Sequence, residues 1–129
     1  MTKRELSQLY WLNREIRQDQ ERLRELEEAA EAIVPHYGEG VRSGPRDRVG
    51  DLALLICEQR MLIERKRQRA CQEQNRLCRY VSGIEDSLMR QIIALRYLDG
   101  LSWNQVAQRI GGVTEDSVRM AHNRFLRKK

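Results

Sequence analysis

The chain has 129 residues, of which one third are charged and only 5% are aromatic, and its formal net charge is +5. No segment shows the apolar–polar alternation of a Val-, Ile- or Thr-rich strand, so a β-sandwich or barrel is excluded and an all-α protein is predicted. The longest apolar run, Leu52 to Cys57, is too short to cross a bilayer, so no membrane partner is expected.

The first segment has the pattern of one helix of a coiled coil. Thr2 is its predicted N-cap, with Glu5 three residues later, and Pro35 excludes the preceding residue from the α region. The predicted helix therefore spans about residues 2–34. Its seam, with alternating spacings of three and four, comprises Leu9, Leu12, Ile16, Asp19, Leu23, Leu26, Ala30 and Ile33.

Residues 35–50 hold both prolines and four of the eight glycines and are predicted as a loop. Its cations Arg42, Arg46 and Arg48 either contact a phosphate backbone or stay hydrated, and hydration is favoured. Asp51 is the predicted cap of a second helix over about residues 51–81. The seam of this second helix comprises Leu52, Ile56, Gln59, Ile63, Lys66, Ala70, Glu73, Leu77 and Tyr80.

Two helices of similar length joined by a loop predict an antiparallel, coiled-coil-like helical hairpin as the first domain, residues 1–83. Polar side chains at Gln59, Lys66 and Glu73 weaken the middle of its seam. Because two helices alone form a thin core, we expect a third helix or a second chain to cover it, and favour a homodimer through the hairpin. Cys71 and Cys78, seven residues apart, are expected to be small buried hydrophobic residues.

Residues 84–129 are predicted as a second domain of three short helices. Ser82-Gly83 interrupt the long helix, and either Asp86 or Ser82 caps the next one. The apolar stripe of that helix comprises Leu88, Ile92, Leu95 and Leu98, and Gly100 follows as a left-handed C-terminal residue.

The last two helices are separated by Gly111-Gly112 and capped by Ser102 and Thr114. Glycine tolerates positive φ, and Ala107 allows a close crossing, so the two helices are predicted to form a helix-turn-helix, residues 103–110 supplying the first of them. The residues expected to meet between them are Val106, Ala107, Ile110, Val118, Ala121 and Phe125.

The last helix is predicted to present a polar and basic surface to double-stranded DNA. Arg119 can bond guanine O6 and N7, Asn123 can pair with adenine, and acidic groups suit the helix N-terminus. The predicted base-reading residues are Glu115, Asp116, Ser117, Arg119, Met120 and Asn123. The predicted DNA-backbone contacts are Arg124, Arg127, Lys128 and Lys129. The alternative is a three-helix bundle with a charged outer face.

The segment "ALRYLDGLSWNQVAQRI" followed by "SVRMAHNRFLRK" resembles region 4 of the sigma-70 family of transcription initiation factors. With a helical hairpin in front of it, the chain is similar to phage- and prophage-encoded sigma-like regulators. The resemblance implies a transcription regulator in the cytoplasm of a bacterial host cell, with RNA polymerase as a further partner. It carries base contacts over to Glu115, Asp116, Arg119, Met120 and Asn123, and backbone contacts to Arg124 and Arg127. Gly111-Gly112 departs from the family pattern by one extra residue.

Two other functions remain open at this point. One is a DNA-binding small subunit of a phage packaging terminase, and the other is a protein-interaction module that docks on RNA polymerase. An enzyme is not expected, because the chain has no Ser/His/Asp set and no phosphate-binding glycine loop. No metal or other cofactor is expected, since His36 and His122 lie in different segments. The absence of an export signal and of a disulfide framework also favours the cytoplasm.

Overall fold

A computed structural model of the chain describes residues 1–33 and 43–128, with the backbone alone for residues 43–47. The described residues contain helices and short connections and no strand, which confirms the all-α prediction. The elements in chain order are α1 (Lys3–Leu6), α2 (Gln8–Ile33), α3 (Ser43–Ser82), α4 (Ser87–Ile93), a π-helical segment (Ala94–Leu98), α5 (Trp103–Ile110) and α6 (Glu115–Arg127). None of the described helices is long and apolar enough to span a membrane.

The chain divides into two compact units. The terminal unit comprises Met1–Asn13 and Ala70–Lys129, and the central unit comprises Arg14–Arg69. This division differs from the predicted boundary after residue 83. The physical reason is that Leu6 and Leu9 near one end, and Leu77 and Val81 near the end of α3, are buried within the terminal unit with the shorter helices.

In the central unit, α2 and α3 contact each other with their residue numbers running in opposite order. Arg60 Nη2 donates to Glu27 Oε2 at 2.7 Å, and Lys66 pairs with Asp19 further along. Ile63, between Arg60 and Lys66 on α3, is buried, and so is Ile16, which lies three residues before Asp19 on α2. Across both units every described seam residue of the two helices is buried or half-buried, which confirms the two predicted seams.

Three of the polar seam residues, Asp19, Gln59 and Lys66, contact one another. The Asp19 carboxylate, with 1% of its surface exposed, contacts the Lys66 ammonium and accepts from Arg22 Nη1 at 2.8 Å. Gln59 Nε2 donates to the Asp19 carbonyl oxygen at 2.8 Å. The one charge in the α2 seam thus has its counter-charge in the α3 seam. Unpaired, it would carry a large desolvation penalty.

The predicted start of the second helix at Asp51 is wrong, because α3 begins at Ser43. Pro45 falls in its first turn, where a missing N–H removes no intrahelical hydrogen bond. The second half of the predicted 35–50 loop is therefore helix, and Arg48 on it is exposed. The remaining loop residues, including Arg42, and the Arg46 side chain lie outside the description.

The prediction that Cys71 and Cys78 are buried is wrong as well, since both are exposed. Each follows a seam residue by one position, Ala70 or Leu77, and one position turns the side chain about 100° around a helix. That rotation carries both thiols out of the seam.

At α4 the structure selects one of the two predicted caps and corrects the predicted stripe. Asp86, rather than Ser82, is the cap, and its carboxylate accepts from the Met89 N–H at 3.1 Å. Leu88 is exposed, whereas Leu95 and Leu98 are half-buried. The buried residues are Met89, Ile92, Ile93 and Tyr97. The π-helical segment inserts an extra residue into the last turn, which a regular 3.6-residue period does not anticipate.

Candidate nucleic-acid interface

Local hydrogen bonds fix where α5 and α6 begin. Ser102 Oγ accepts from the Gln105 N–H at 3.3 Å, and Gln105 Oε1 accepts from the Ser102 N–H at 2.9 Å. Thr114 Oγ1 accepts from the Ser117 N–H at 3.1 Å. These side chains satisfy N–H groups that have no partner in the first turn of a helix. Both predicted caps are confirmed, as is the predicted 103–110 span of α5.

The chain between α5 and α6 turns through two glycines with positive φ. Gly111 has φ +80° and ψ 145°, and Gly112 has φ +72°. The first of these combinations belongs to a region that residues with a Cβ essentially do not occupy. Gly112 is the extra residue relative to the sigma region 4 pattern. Its positive φ shows that it takes part in the same turn as Gly111. Gly100, at the end of the π-helical segment, has φ +71° as predicted.

Gly111→Ala is expected to lower the free energy of unfolding by roughly 1–3 kcal/mol, through backbone strain alone. A Cβ at this position would meet no atom within 4 Å, so crowding does not contribute. Urea denaturation followed by circular dichroism measures the effect. Gly83→Ala is the matched control, since its φ is not positive and its added Cβ lies 3.5 Å from the Tyr80 carbonyl oxygen. Equal losses for the two variants would contradict the strain argument.

The core between α5 and α6 matches the prediction at its centre. Val106, Ala107 and Val118 are buried. The other three predicted core residues, Ile110, Ala121 and Phe125, are half-buried. Because the buried Ala107 side chain is small, the two helices can approach each other closely.

His122 is the largest polar side chain in this core, and the sequence analysis did not predict its burial. Its side chain is fully buried, with the ring centroid 4.6 Å from that of Trp103. Nδ1 lies 3.0 Å from Asn123 Oδ1, and Nε2 lies 2.6 Å from the Tyr97 hydroxyl. Because the amide oxygen only accepts, Nδ1 carries the proton and Nε2 accepts from the tyrosine. The four-residue spacing from Val118 is the signal that indicates this inward position.

Burial sets the protonation of this pair. Desolvation lowers the pKa of His122, and the cations Lys3 and Arg96 act in the same direction, while the hydrogen bond to Asn123 opposes them. Burial raises the pKa of Tyr97 to about 12. Both groups are therefore neutral near pH 7, which is the state their mutual hydrogen bond requires.

Arg96 holds the connection between the π-helical segment and α5. Its Nη1 donates to the Leu101 carbonyl oxygen at 2.9 Å, and its guanidinium lies 4.5 Å from the centroid of the Trp103 ring. A half-buried cation over an indole ring contributes a favourable electrostatic contact. Arg96 thereby acts as a structural residue of this unit, and the outward cations lie elsewhere.

The six predicted base-reading residues are all exposed on α6, namely Glu115, Asp116, Ser117, Arg119, Met120 and Asn123. Three of them, Asp116, Arg119 and Asn123, already have side-chain partners. Arg119 Nη2 contacts Asp116 Oδ1 at 2.6 Å, one helical turn away. The Asn123 oxygen faces the buried His122 ring, so the amide N–H₂ group is the part of this side chain that remains to bind a ligand.

Of the predicted backbone contacts, Arg124, Arg127 and Lys128 are exposed at the C-terminal end of α6. Lys129 lies outside the described residues. Exposed Arg109 on α5 adds a cation that the sequence analysis did not assign. On α6, then, exposed cations follow the polar residues toward the C-terminal end of the helix.

Within residues 1–33 and 43–128, no cluster of three or more His, Cys, Asp or Glu side chains could hold a metal ion. No protein-family model, curated protein or solved structure matches the chain.

Proposed function

We propose that the chain is a sequence-specific, double-stranded DNA-binding transcription regulator. In this proposal α2 and α3 form a helical hairpin, α5 and α6 form a helix-turn-helix, and α6 is the recognition helix. The observation that carries it is the division of α6 into two faces. Val118 and His122 are fully buried, while the opposite side exposes Arg119, Met120 and Asn123. A helix anchored on one side, with polar and basic groups on the other, suits the major groove.

The ion pair of Arg119 with Asp116 is compatible with base reading. Both side chains are exposed, Arg119 at 45% and Asp116 at 76%, and a pair of this kind contributes only roughly 0.2–1 kcal/mol. A guanidinium bonded to guanine O6 and N7 contributes about 1–3 kcal/mol of discrimination. Exchange of the carboxylate for guanine is therefore favourable at the correct base. At an incorrect base the arginine stays paired with Asp116, so the discrimination by Arg119 is the difference between the guanine contact and this ion pair.

The contact with His122 limits Asn123 to fewer hydrogen bonds than the two-bond pairing with adenine expected from its residue type. Its oxygen faces the His122 N–H, so only the amide donors are directed to a ligand. We propose that it donates to a purine N7 or to a phosphate oxygen rather than pairing at both edges of adenine.

Arg124, Arg127 and Lys128 are the proposed phosphate contacts. Neutralising phosphates releases bound counterions, so the affinity should fall with salt concentration. In keeping with the resemblance to sigma region 4, we propose a phage- or prophage-encoded regulator in the bacterial cytoplasm, with RNA polymerase as a second partner. A terminase small subunit is distinguished by particle size, because a ring of eight or more subunits would favour packaging.

Selection of bound fragments from a random double-stranded DNA pool, at a stated salt concentration, tests the proposal. An enriched motif is the expected result. Recovery of unenriched sequences at low salt, and of no DNA at moderate salt, would indicate non-specific electrostatic binding only. A chain that binds no DNA but binds RNA polymerase would favour the protein-interaction module.

Arg119→Ala is expected to weaken binding to the enriched site by roughly 1–3 kcal/mol and to relax selectivity at one base pair. Arg127→Ala should weaken all sequences alike and reduce the salt dependence, because it removes a phosphate contact. Fluorescence anisotropy on the enriched site and on single-base variants measures both. Arg69→Ala, an exposed position in the central unit, is the control. Equal losses on every sequence for Arg119→Ala and Arg127→Ala would count against base reading by Arg119.

A further inference from the structure

The outward face of α3 in the central unit carries apolar side chains where a solvated helix would carry charges. Leu54 and Met61 are 60% and 59% exposed, and Cys57 between them is exposed too. Leu54 and Met61 are each two positions from a seam residue, Leu52 or Ile63, which places them about 200° around the helix from the seam. Exposed apolar side chains aligned along one helix indicate an interaction surface.

Gly50 extends this line by one turn. It lies inside α3 with an ordinary negative φ, where glycine destabilises a helix relative to alanine. A Cβ added there would meet nothing within 4 Å, so no described part of the chain requires a glycine at this position. A surface glycine on a helix does allow a second helix to approach closely.

These four residues, Gly50, Leu54, Cys57 and Met61, are here called the outer stripe. Their spacing of four, three and four is the same in both chain directions, so an identical stripe fits onto it antiparallel. Met61 then faces Gly50 of the second copy, and Leu54 faces Cys57 of the second copy. Every layer pairs one large side chain with one small one, which gives even packing. A parallel copy would instead place two methionines together and two glycines together.

The central unit also has little core of its own. Among its described residues, Ile16 and Ile63 are the only buried apolar side chains, and the buried Asp19 lies beside them. Two helices with so few buried residues need a further helical layer for a stable core. A second copy supplies two more helices at once.

We propose that two copies of the chain associate through the outer stripe, antiparallel, about a two-fold axis between Leu54 and Cys57. The same patch serves both copies, as in most homodimers. This surface belongs to the central unit and does not depend on the proposed DNA binding.

Sedimentation equilibrium of the full chain tests the association, with Leu54→Lys as the disrupting variant. Leu55→Lys is the matched control, since Leu55 is also exposed, at 46%, but is turned about 100° away from the stripe. We expect a dimer for the unsubstituted chain and for Leu55→Lys. For Leu54→Lys the dissociation constant should rise roughly tenfold or more, because a lysine would be buried without a partner. A monomeric unsubstituted chain, or equal effects of both lysines with helicity retained, would overturn the proposal.

Disulfide formation tests the orientation, in a chain whose three exposed cysteines are replaced by serine. Gly50→Cys and Met61→Cys are introduced into separate preparations, which are oxidised alone and after mixing. The antiparallel arrangement crosslinks the mixture, whereas two Gly50 positions would lie about 16 Å apart along the axis. Efficient crosslinks in each preparation alone would overturn the orientation, and no crosslink in any sample would overturn the interface.

Discussion

Lys66→Met is expected to lower the free energy of unfolding by roughly 3–5 kcal/mol, since it leaves the buried Asp19 carboxylate without its main counter-charge. Asp19 is 1% exposed, and its remaining charged partner, Arg22, has 64% of its side chain in solvent. Urea denaturation of the full chain measures the loss. Arg22→Met is the control, because an exposed partner of this kind contributes less than about 1 kcal/mol.

Replacing both members of the pair separates the loss of an interaction from the burial of an uncompensated charge. Asp19→Leu with Lys66→Met should be far less destabilising than Lys66→Met alone, and an apolar pair at such a position is often neutral or stabilising. A double variant as unstable as Lys66→Met alone would show that the loss comes from the missing ion pair and not from an uncompensated buried charge.

His122→Ala is expected to lower the free energy of unfolding by about 2–5 kcal/mol, because it leaves a cavity beside Trp103 and removes the partner of the Tyr97 hydroxyl. His122→Phe fills the space but still leaves that hydroxyl unpaired, which alone costs roughly 1–3 kcal/mol. Thermal and urea denaturation rank the two variants. A negligible loss for both would contradict the described packing of α6.

The same residue predicts a pH dependence whose sign follows from the lowered pKa of His122. Above pH about 6.5, the ordinary histidine value, the ring is neutral in both states, and its full contribution to stability is present. As the pH falls below that value the unfolded chain binds the proton first, so stability declines until the folded-state pKa is reached. The difference between the unsubstituted chain and His122→Phe isolates this effect from His36 and the carboxylates. If the difference in free energy of unfolding between the two chains stayed constant from pH 7 to pH 5, that would contradict the burial of His122 as a neutral ring.

Several features followed from the sequence because their causes are local. The caps at Thr2, Asp86, Ser102 and Thr114 are confirmed, since each needs only a side-chain oxygen three residues before an N–H group. The seams of α2 and α3 followed from period alone. The exposed position of every described residue in the predicted DNA-binding set followed in the same way, because the opposite side of α6 is apolar.

Other features differ from the regular pattern or go beyond it, namely the α3 start, the π-helical segment and the exposure of Cys71 and Cys78. The two cysteines are exposed for a local reason, because each lies one position beyond a seam residue. Period alone could also not assign Asp19 to Lys66, since their contact joins positions far apart in the chain.

The sequence by itself determined an all-helical chain, the local ends of its short helices and the polar surface of α6, because these features arise from hydrogen bonds and periodicity within a few residues. The tertiary structure alone decided that the His122 ring bonds to the Tyr97 hydroxyl and that Asp19 is neutralised from the other long helix. The physical reason is that the partner of a buried side chain is set by whichever element packs against it, and sequence spacing does not contain that information.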